Sequence, residues 1–273
     1  FQRFLERAGA PASVRVLAKA AAAGHLAVHT TDPTLQRGLA ATPVGGAFAS
    51  PNGDFLSVVQ NNGAGAKIDF YEDRSVSYAV HLEDGGTAQT VASVELANHA
   101  PTSGPPPYVI GPFPGVKAQA GENIPILNLY CAPGCSLEAS TRDGHPTRLR
   151  TGSELGHPFF QDYFHVPSGA TSSSTYRMRL PDAWEGNTSG GSYRLTFANQ
   201  VTIRPTHLSI SVQVPPGMHV TDTSVPMEVD GGLAVWEGVP GRRLDLRVDF
   251  QPSLPLRLWR DVGRIFSKPV IHA

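Results

Sequence analysis

Residues 76–96 read VSYAVHLEDGGTAQTVASVEL, and this stretch indicates the architecture more clearly than any other. Apolar and polar residues alternate with a period of two on both sides of the turn Asp84-Gly85-Gly86. Successive side chains of a strand point to opposite faces of a sheet, so the alternation indicates two half-buried strands. The same pattern recurs at residues 174–180, 193–197, 208–214 and 244–250. The chain is therefore predicted to be mainly β, with antiparallel strands stacked in sandwiches.

Composition fits short strands joined by many turns. The chain has 273 residues, of which 28 are glycine and 24 are proline, yet 40% are hydrophobic. A disordered chain with that much glycine and proline would carry fewer apolar residues. The 22 basic and 23 acidic residues give a net charge of −1, which leaves no basic surplus for a phosphate backbone. We therefore expect no nucleic-acid partner.

The length favours about two domains, and the pattern divides the chain into four parts. Residues 1–74 are predicted to form a small α/β segment and residues 75–203 an immunoglobulin-like sandwich. Residues 204–253 are predicted to form a smaller β-sandwich domain. Residues 254–273 read as an amphipathic tail, which is either a terminal helix docked on the protein or a helix on an anionic membrane surface.

The α/β segment looks incomplete, because the chain begins within a helical pattern that has no cap. We expect the sequence to be the C-terminal part of something longer. An incomplete layer exposes an apolar face, so a second polypeptide or a missing N-terminal half is predicted to pack on residues 1–71. Burial of Val14, Leu17, Val28 and Val58 within this chain alone would contradict that expectation.

The two cysteines, Cys131 and Cys135, flank a Pro-Gly turn and are predicted to form a disulfide. Such a turn between two strands can bring the two thiols within bridging distance. The alternatives are free thiols or half of a metal site, although no second cysteine pair exists to complete a zinc shell. A disulfide indicates an oxidising, extracytoplasmic compartment.

Two motifs resemble a known family. Residues 61–71 read NNGAGAKIDFY, and residues 98–104 read NHAPTSG. Both are similar to segments in the C-terminal half of the actinobacterial family called domain of unknown function 4012. The resemblance implies a cell-envelope protein with external β-sandwiches, held to the membrane by an upstream anchor or by the tail, and it implies no activity. The family's N-terminal half is distantly similar to LytR–CpsA–Psr proteins, which transfer glycopolymers to the cell wall, but none of their ligand-binding residues can be carried onto this chain.

The segment 61–71 is the first candidate binding site. The amides of Asn61 and Asn62 and the loop N–H groups suit sugar hydroxyls or an anion. Lys67, Asp69 and Tyr71 are predicted to share one face of a following strand, where they would add charge and stacking. The competing interpretation is a tight loop in which Asn and Gly only provide positive φ angles.

The sequence contains no catalytic or metal-binding signature. The ten histidines do not form a His-x-x-x-His motif beside a carboxylate on a credible helix, so no metal or cofactor is expected. There is no Gly-x-Ser-x-Gly elbow, and sequence alone cannot pair carboxylates across a glycosidic bond. Trp184 is either a stacking platform for a sugar ring or a partly buried anchor of its loop.

We therefore expect a non-catalytic, extracytoplasmic module that binds or positions envelope polysaccharide or a protein partner. The competing hypothesis is a glycopolymer-transferring or glycan-cleaving enzyme whose active site lies mainly in a missing N-terminal half. A deep pocket that joins the segment 61–71 to converging carboxylates would favour the enzyme, and a filled loop would favour the module.

Overall fold

The computed structural model describes residues 10–40, 42–45 and 53–253. The predictions about the first nine residues and about the tail 254–273 lie outside these residues. Helix α1 spans Ala10–Ala22 and α2 spans Pro33–Ala40, followed by the short 3-10 helix η1 at Pro43–Gly45. A second 3-10 helix, η2, covers Ile68–Tyr71, and the single turn α3 covers Pro107–Ile110. Across the described ranges, no helix combines the length and the apolar character needed to cross a membrane.

Strands make up most of the described chain. They are β1 Asp54–Asn62, β2 Glu72–Leu82, β3 Ala88–Asn98, β4 Pro125–Cys131, β5 Ser136–Arg142, β6 His145–Pro146, β7 Arg150–Glu154, β8 His157–Tyr163, β9 Thr171–Leu180, β10 Trp184–Asn187, β11 Gly190–Asn199, β12 His207–Gln213, β13 Met218–Thr223, β14 Glu228–Asp230, β15 Leu233–Gly238 and β16 Arg243–Pro252. The six alternating stretches lie within or largely overlap β2, β3, β9, β11, β12 and β16. The prediction of a mainly β fold is therefore confirmed.

The strands form two sheets of eight. The first has the order β13-β16-β11-β1-β4-β8-β7, with β10 paired to β11, and the second has the order β14-β15-β12-β2-β3-β9-β5-β6. Two pairings are parallel, β1 with β11 and β2 with β12, and the other pairings are antiparallel. Each parallel pair joins strands that are far apart in the sequence, which local alternation cannot predict.

The pairing continues across the predicted domain boundaries. Strand β1, from the predicted α/β segment, lies in the middle of the first sheet, between β11 and β4. Strands β16 and β12, from the predicted smaller β domain, pair with β11 and β2 of the predicted sandwich. One hydrophobic cluster fills the space between the sheets and contains residues from all three predicted parts. The boundaries at residues 74 and 203 stay predictions.

Alternation along β2 and β3 places one face of the second sheet in the core. In β2 the side chains of Val76, Tyr78 and Val80 are buried, and the intervening residues are exposed. Large aromatic residues from the facing strands, including Phe55 and Tyr193, are also fully buried. Burial of apolar area at about 25 cal/mol per Å² is the main contribution to stability in such an interior.

The N-terminal helices lie outside the two sheets. Asp32 caps α2, since its Oδ1 accepts hydrogen bonds from the N–H groups of Thr34 at 2.8 Å and Leu35 at 3.0 Å. Val58 is buried in β1, but Leu17 is only half-buried and Val28 is 41% exposed. The expectation that another polypeptide covers this region stays a prediction.

Candidate functional site

The loop after β1 is filled by its own hydrogen bonds. The Asn62 Nδ2 group donates to the carbonyl oxygen of Ala66 at 2.5 Å and to Asp69 Oδ1 at 2.7 Å. Asn62 Oδ1 accepts from the N–H of Ala64 at 2.9 Å. Ala64 and Ala66 are buried, whereas Asn61 is exposed. Asn62 therefore organises the loop and holds Asp69 in a fixed position.

The predicted strand over residues 67–71 is wrong, because Ile68–Tyr71 forms η2. Ile68 is fully buried against Ala100 and Ile110. The N–H of Lys67 donates to the carbonyl oxygen of Val109 at 3.0 Å, so this backbone bonds to α3 rather than to a sheet. Tertiary contacts have overridden a short alternating pattern.

Of the five predicted binding residues, the structure brings only Asn62 and Asp69 together. Lys67 Nζ lies 5.6 Å from the centroid of the Tyr108 ring, and Tyr71 packs against the small cluster around Ile68. Asn62 and Asp69 line a cavity of about 140 Å³, which Lys67, Tyr71 and the exposed Asn61 do not line. We call this end of the sandwich, formed by residues 61–74, 98–123 and 200–206, the loop end.

Arg74 forms the buried side of the loop-end cavity. Its guanidinium donates to Gln200 Oε1 and to the Gln200 carbonyl oxygen, both at 3.0 Å, and to Thr206 Oγ1 at 2.8 and 3.0 Å. Burial lowers the pKa of Arg74 to about 10, and the negative charge of Glu72 partly opposes that shift. Arg74 therefore stays charged at neutral pH and is fixed by neutral oxygens.

Glu72 is a buried carboxylate at the same cavity. Its Oε2 accepts hydrogen bonds from Gln60 Nε2 at 2.7 Å and from Asn123 Nδ2. Burial raises the pKa of Glu72, and the nearby charge of Asp69 contributes to the rise. Burial also raises the pKa of Asp69. Two neighbouring carboxyl groups thus hold protons more strongly than exposed ones do.

Two buried amide oxygens beside Glu72 lack a hydrogen bond. Gln60 Oε1 and Asn123 Oδ1 have no donor among the described residues. Since the amide nitrogens of both side chains bond to Glu72 Oε2, covalent geometry keeps both oxygens within about 5 Å of that atom. A buried acceptor without a donor costs free energy, so these atoms favour a hydroxyl, an ammonium group or water at this position.

Exposed aromatic and apolar side chains lie at or beside the loop end. Phe70 and Tyr108 are more than half exposed, and a methyl group added at Gly65 would lie 3.7 Å from the partly exposed Phe113 ring. Ile203, also more than half exposed, lines the cavity itself. Tyr163 is more than half exposed in register with Asn61 across β4, since both residues pair with Ile126.

Sequence reasoning missed these aromatic residues. Phe70 lies within the segment that the sequence singled out, and Tyr108 follows the second motif, so both were available as signals. Their exposure depends on η2 and α3, which local alternation did not predict.

The predicted disulfide between Cys131 and Cys135 is confirmed. The two Cα atoms are 6.1 Å apart, and the N–H of Cys135 donates to the carbonyl oxygen of Ala132 at 3.0 Å to close the turn. Because β4 belongs to the first sheet and β5 to the second, the disulfide closes a turn that carries the chain between sheets. In the part of the chain that the structure describes, no group of three or more His, Cys, Asp or Glu side chains is placed to hold a metal ion.

Trp184 lies at the opposite end of the sandwich from the loop end. Its indole Nε1 donates to the Glu83 carbonyl oxygen at 3.0 Å, and its ring packs edge-on against Phe250 with centroids 5.2 Å apart. Trp184 is only partly buried and lines a cleft of about 920 Å³. It is therefore an anchor of its strand, as one interpretation predicted, and it also presents surface to a cleft.

The chain matches no family model and no curated protein. Among solved structures it is similar to a Legionella pneumophila protein provisionally assigned to nutrient binding, with 8% identity over 80% of this chain and 77% of that chain and a TM-score of 0.42. It is also similar to native leukotriene A4 hydrolase of Saccharomyces cerevisiae, with 8% identity over 65% of this chain and 29% of the hydrolase and a TM-score of 0.38. An M1 zinc metallopeptidase of Deinococcus radiodurans matches with 11% identity over 66% of this chain and 42% of the peptidase and a TM-score of 0.32. The chain thus spans less than half of either enzyme, and likeness at this level carries no argument about function.

Proposed function

We propose that this chain is a non-catalytic, extracytoplasmic module that binds envelope polysaccharide at its loop end. One observation carries the proposal: the loop end exposes the rings of Phe70 and Tyr108 and also contains a polar cavity, lined by Gln60 and Ile203, where the buried Gln60 Oε1 has no donor among the described residues. Sugar rings have apolar faces that pack on aromatic side chains, and their hydroxyl groups exchange hydrogen bonds with carboxylates and amides. Both kinds of group meet at this end of the sandwich.

The size of the cavity indicates how a glycan would bind. A volume of about 140 Å³ is well below that of a typical small-molecule pocket, so it accommodates one substituent or part of one sugar ring. The remaining contacts would lie on the exposed Phe70 and Tyr108 rings of the loop end. This arrangement suits a polymer that crosses the surface and inserts one group toward Gln60, Asp69 and Glu72.

The proposed location in the cell envelope is supported by the disulfide and by the sequence resemblance. Disulfides persist in oxidising compartments, and Cys131 and Cys135 are bridged. The similarity of residues 61–71 and 98–104 to an envelope family points to the same compartment. Membrane attachment would come from an upstream segment or from the tail, and a second polypeptide would cover the N-terminal helices.

The double variant Phe70→Ala/Tyr108→Ala tests the proposed site. Loss of two stacking surfaces, each contributing about 1 kcal/mol, should weaken binding by about tenfold or more. Binding to purified envelope polysaccharide is measured by affinity electrophoresis and by calorimetry. The matched control is Leu155→Ala, which removes a 74% exposed apolar side chain from the turn between β7 and β8. Equal affinity for the double variant and the control would refute a glycan site at the loop end.

A second candidate function, glycan cleavage or transfer, is favoured by one observation. Burial raises the pKa of both Glu72 and Asp69, and a pair of neighbouring carboxyl groups, at least one with a raised pKa, is the arrangement used for glycosidic bond cleavage. Glu72→Gln separates the candidates when soluble products are quantified over time. The binding module predicts no turnover by either the native protein or the variant. Turnover that Glu72→Gln abolishes, with glycan affinity unchanged, would establish the enzyme instead.

A further inference from the structure

The Trp184 cleft, at the end of the sandwich opposite the loop end, has a volume of about 920 Å³. Its wall is formed by four segments of the sequence, residues 84–86, 182–188, 216–218 and 252. The polar side chains that line it are Asp84, Asp182, Glu185, Asn187 and Thr188, and Trp184 supplies the aromatic surface.

The Trp184 ring is held in one position by its surroundings. The indole N–H bond to Glu83 fixes one edge, and a methyl group added at Gly191 would lie 2.7 Å from the ring. Glycine at that position of β11 therefore allows the ring to lie directly on the β10–β11 hairpin. A ring that is already fixed loses little conformational entropy when a ligand packs on it.

The charged residues that line the cleft are all acidic. No basic residue of the described chain lines it, and the carboxylates of Asp84, Asp182 and Glu185 make no ion pair or hydrogen bond within the described ranges. The neighbouring carboxylates behave differently, since Glu83 pairs with Arg179 at 3.3 Å and Asp249 pairs with Arg247 at 2.5 Å. Three acceptors with no internal partner thus face the same space as the aromatic ring.

We propose that the Trp184 cleft is a second carbohydrate site, which takes neutral or amine-bearing sugars and rejects acidic ones. The aromatic ring packs on the apolar face of a sugar, and the carboxylates and Asn187 accept hydrogen bonds from its hydroxyl or ammonium groups. An acidic sugar would meet three like charges without a cation between them, and repulsion at close range opposes its binding. This inference extends the proposed glycan binding and specifies the chemistry of a separate site.

The two sites are too far apart to be one. Strand β2 runs from Glu72 at the loop end to Leu82 beside the turn that lines the cleft, over 11 residues. At about 3.3 Å per residue the strand spans about 36 Å, which exceeds the length of a tetrasaccharide. A short oligosaccharide therefore binds at one end without touching the other, whereas a long polysaccharide can reach both and gain avidity.

Calorimetric titration with three tetrasaccharides tests the cleft. The probes are the neutral tetramer of N-acetylglucosamine, its deacetylated cationic form and an anionic tetragalacturonate. Titrations use the Phe70→Ala/Tyr108→Ala protein, so that binding at the loop end contributes little to the measured heat. We expect the cationic probe to bind at least about tenfold more tightly than the anionic one at low salt, with the neutral probe between them.

Two sets of variants complete the test. Thr188→Arg places a positively charged side chain in the cleft and should weaken binding of the cationic probe about tenfold or more. The matched control Thr151→Arg, in the edge strand β7, should leave that affinity unchanged. The triple variant Asp84→Asn/Asp182→Asn/Glu185→Gln removes the three negative charges, so its affinities for the three probes should lie within about threefold of one another. Asparagine is suitable at residue 182 because it tolerates the positive φ of 52° there. Absence of binding, or affinities that Thr188→Arg leaves unchanged, would overturn the second site. Neither result would affect the loop-end test, which compares the polysaccharide affinities of Phe70→Ala/Tyr108→Ala and Leu155→Ala.

Discussion

At Asp54 one buried carboxyl group connects the two sheets. Its Oδ2 accepts hydrogen bonds from the hydroxyl groups of Tyr78, on β2 of the second sheet, at 2.8 Å and Tyr193, on β11 of the first, at 2.6 Å. Burial raises the pKa of Asp54 to about 6, although hydrogen bonds from the tyrosines and from the N–H of Phe55 oppose the shift. The position could not be predicted, because an acidic residue before an apolar run usually marks an exposed strand end.

The raised pKa of Asp54 predicts that stability falls as pH rises. The folded state favours the protonated form, so its stabilising effect is complete below about pH 4 and is lost as pH passes through about 6. A shift of about two pKa units corresponds to about 3 kcal/mol. Urea unfolding of the native protein and of Asp54→Asn between pH 4 and 7 measures the effect. The native protein should lose about 2.5 kcal/mol more than the variant over this range, because the unfolded carboxyl is already partly ionised at pH 4. Unfolding free energies of the two proteins that change in parallel with pH would contradict the assignment.

At the scale of elements, local sequence predicts some structures better than others. Asp32 followed by Pro33 predicts the start of α2, and both the cap and the helix are present. The alternation in β2 and β3 predicts two neighbouring antiparallel strands, which is what they form. By contrast, residues 67–71 alternate too, yet Ile68 enters a cluster with Ala100 and Ile110 and makes η2 instead. A short pattern cannot reveal such a distant partner.

Ile68 therefore supports the loop end, and Ile68→Ala should show this. The side chain is fully buried, and removal of a buried isoleucine costs about 3 kcal/mol of unfolding free energy. Loosening of η2 should also displace the adjacent Asp69 and Phe70 and lower glycan affinity. Ile203→Ala, the same change at a side chain that is 61% exposed, should alter stability by less than about 0.5 kcal/mol. Similar unfolding curves for the two variants would show that Ile68 does not hold this element.

At the scale of the whole molecule, the sequence predicts the class of fold but not its connections. The alternating stretches are strands, while the parallel pairings of β1 with β11 and β2 with β12 join segments about 130 to 140 residues apart. Which strands pair is decided by packing across the whole core. The same limit applies to the candidate site, where Asn62 and Asp69 meet Gln200 and Arg204 only because those pairings bring residue 200 beside β1.

The two ends of the sandwich also differ in charge. Lys67, Arg74 and Arg204 accompany the carboxylates of the loop end, whereas the charged residues that line the Trp184 cleft are all acidic. A single polysaccharide with varied substituents would therefore meet two distinct surfaces. This arrangement fits a module that positions a polymer rather than one that encloses a small ligand.

Hydrogen–deuterium exchange with and without envelope polysaccharide tests glycan binding at the loop end most directly. We predict that the polymer slows exchange in residues 61–71 and 107–113, with a weaker effect near residues 182–188, and leaves the edge strand β7 unchanged. Unaltered exchange at residues 61–71 and 107–113, at a polysaccharide concentration that saturates binding, would contradict the account.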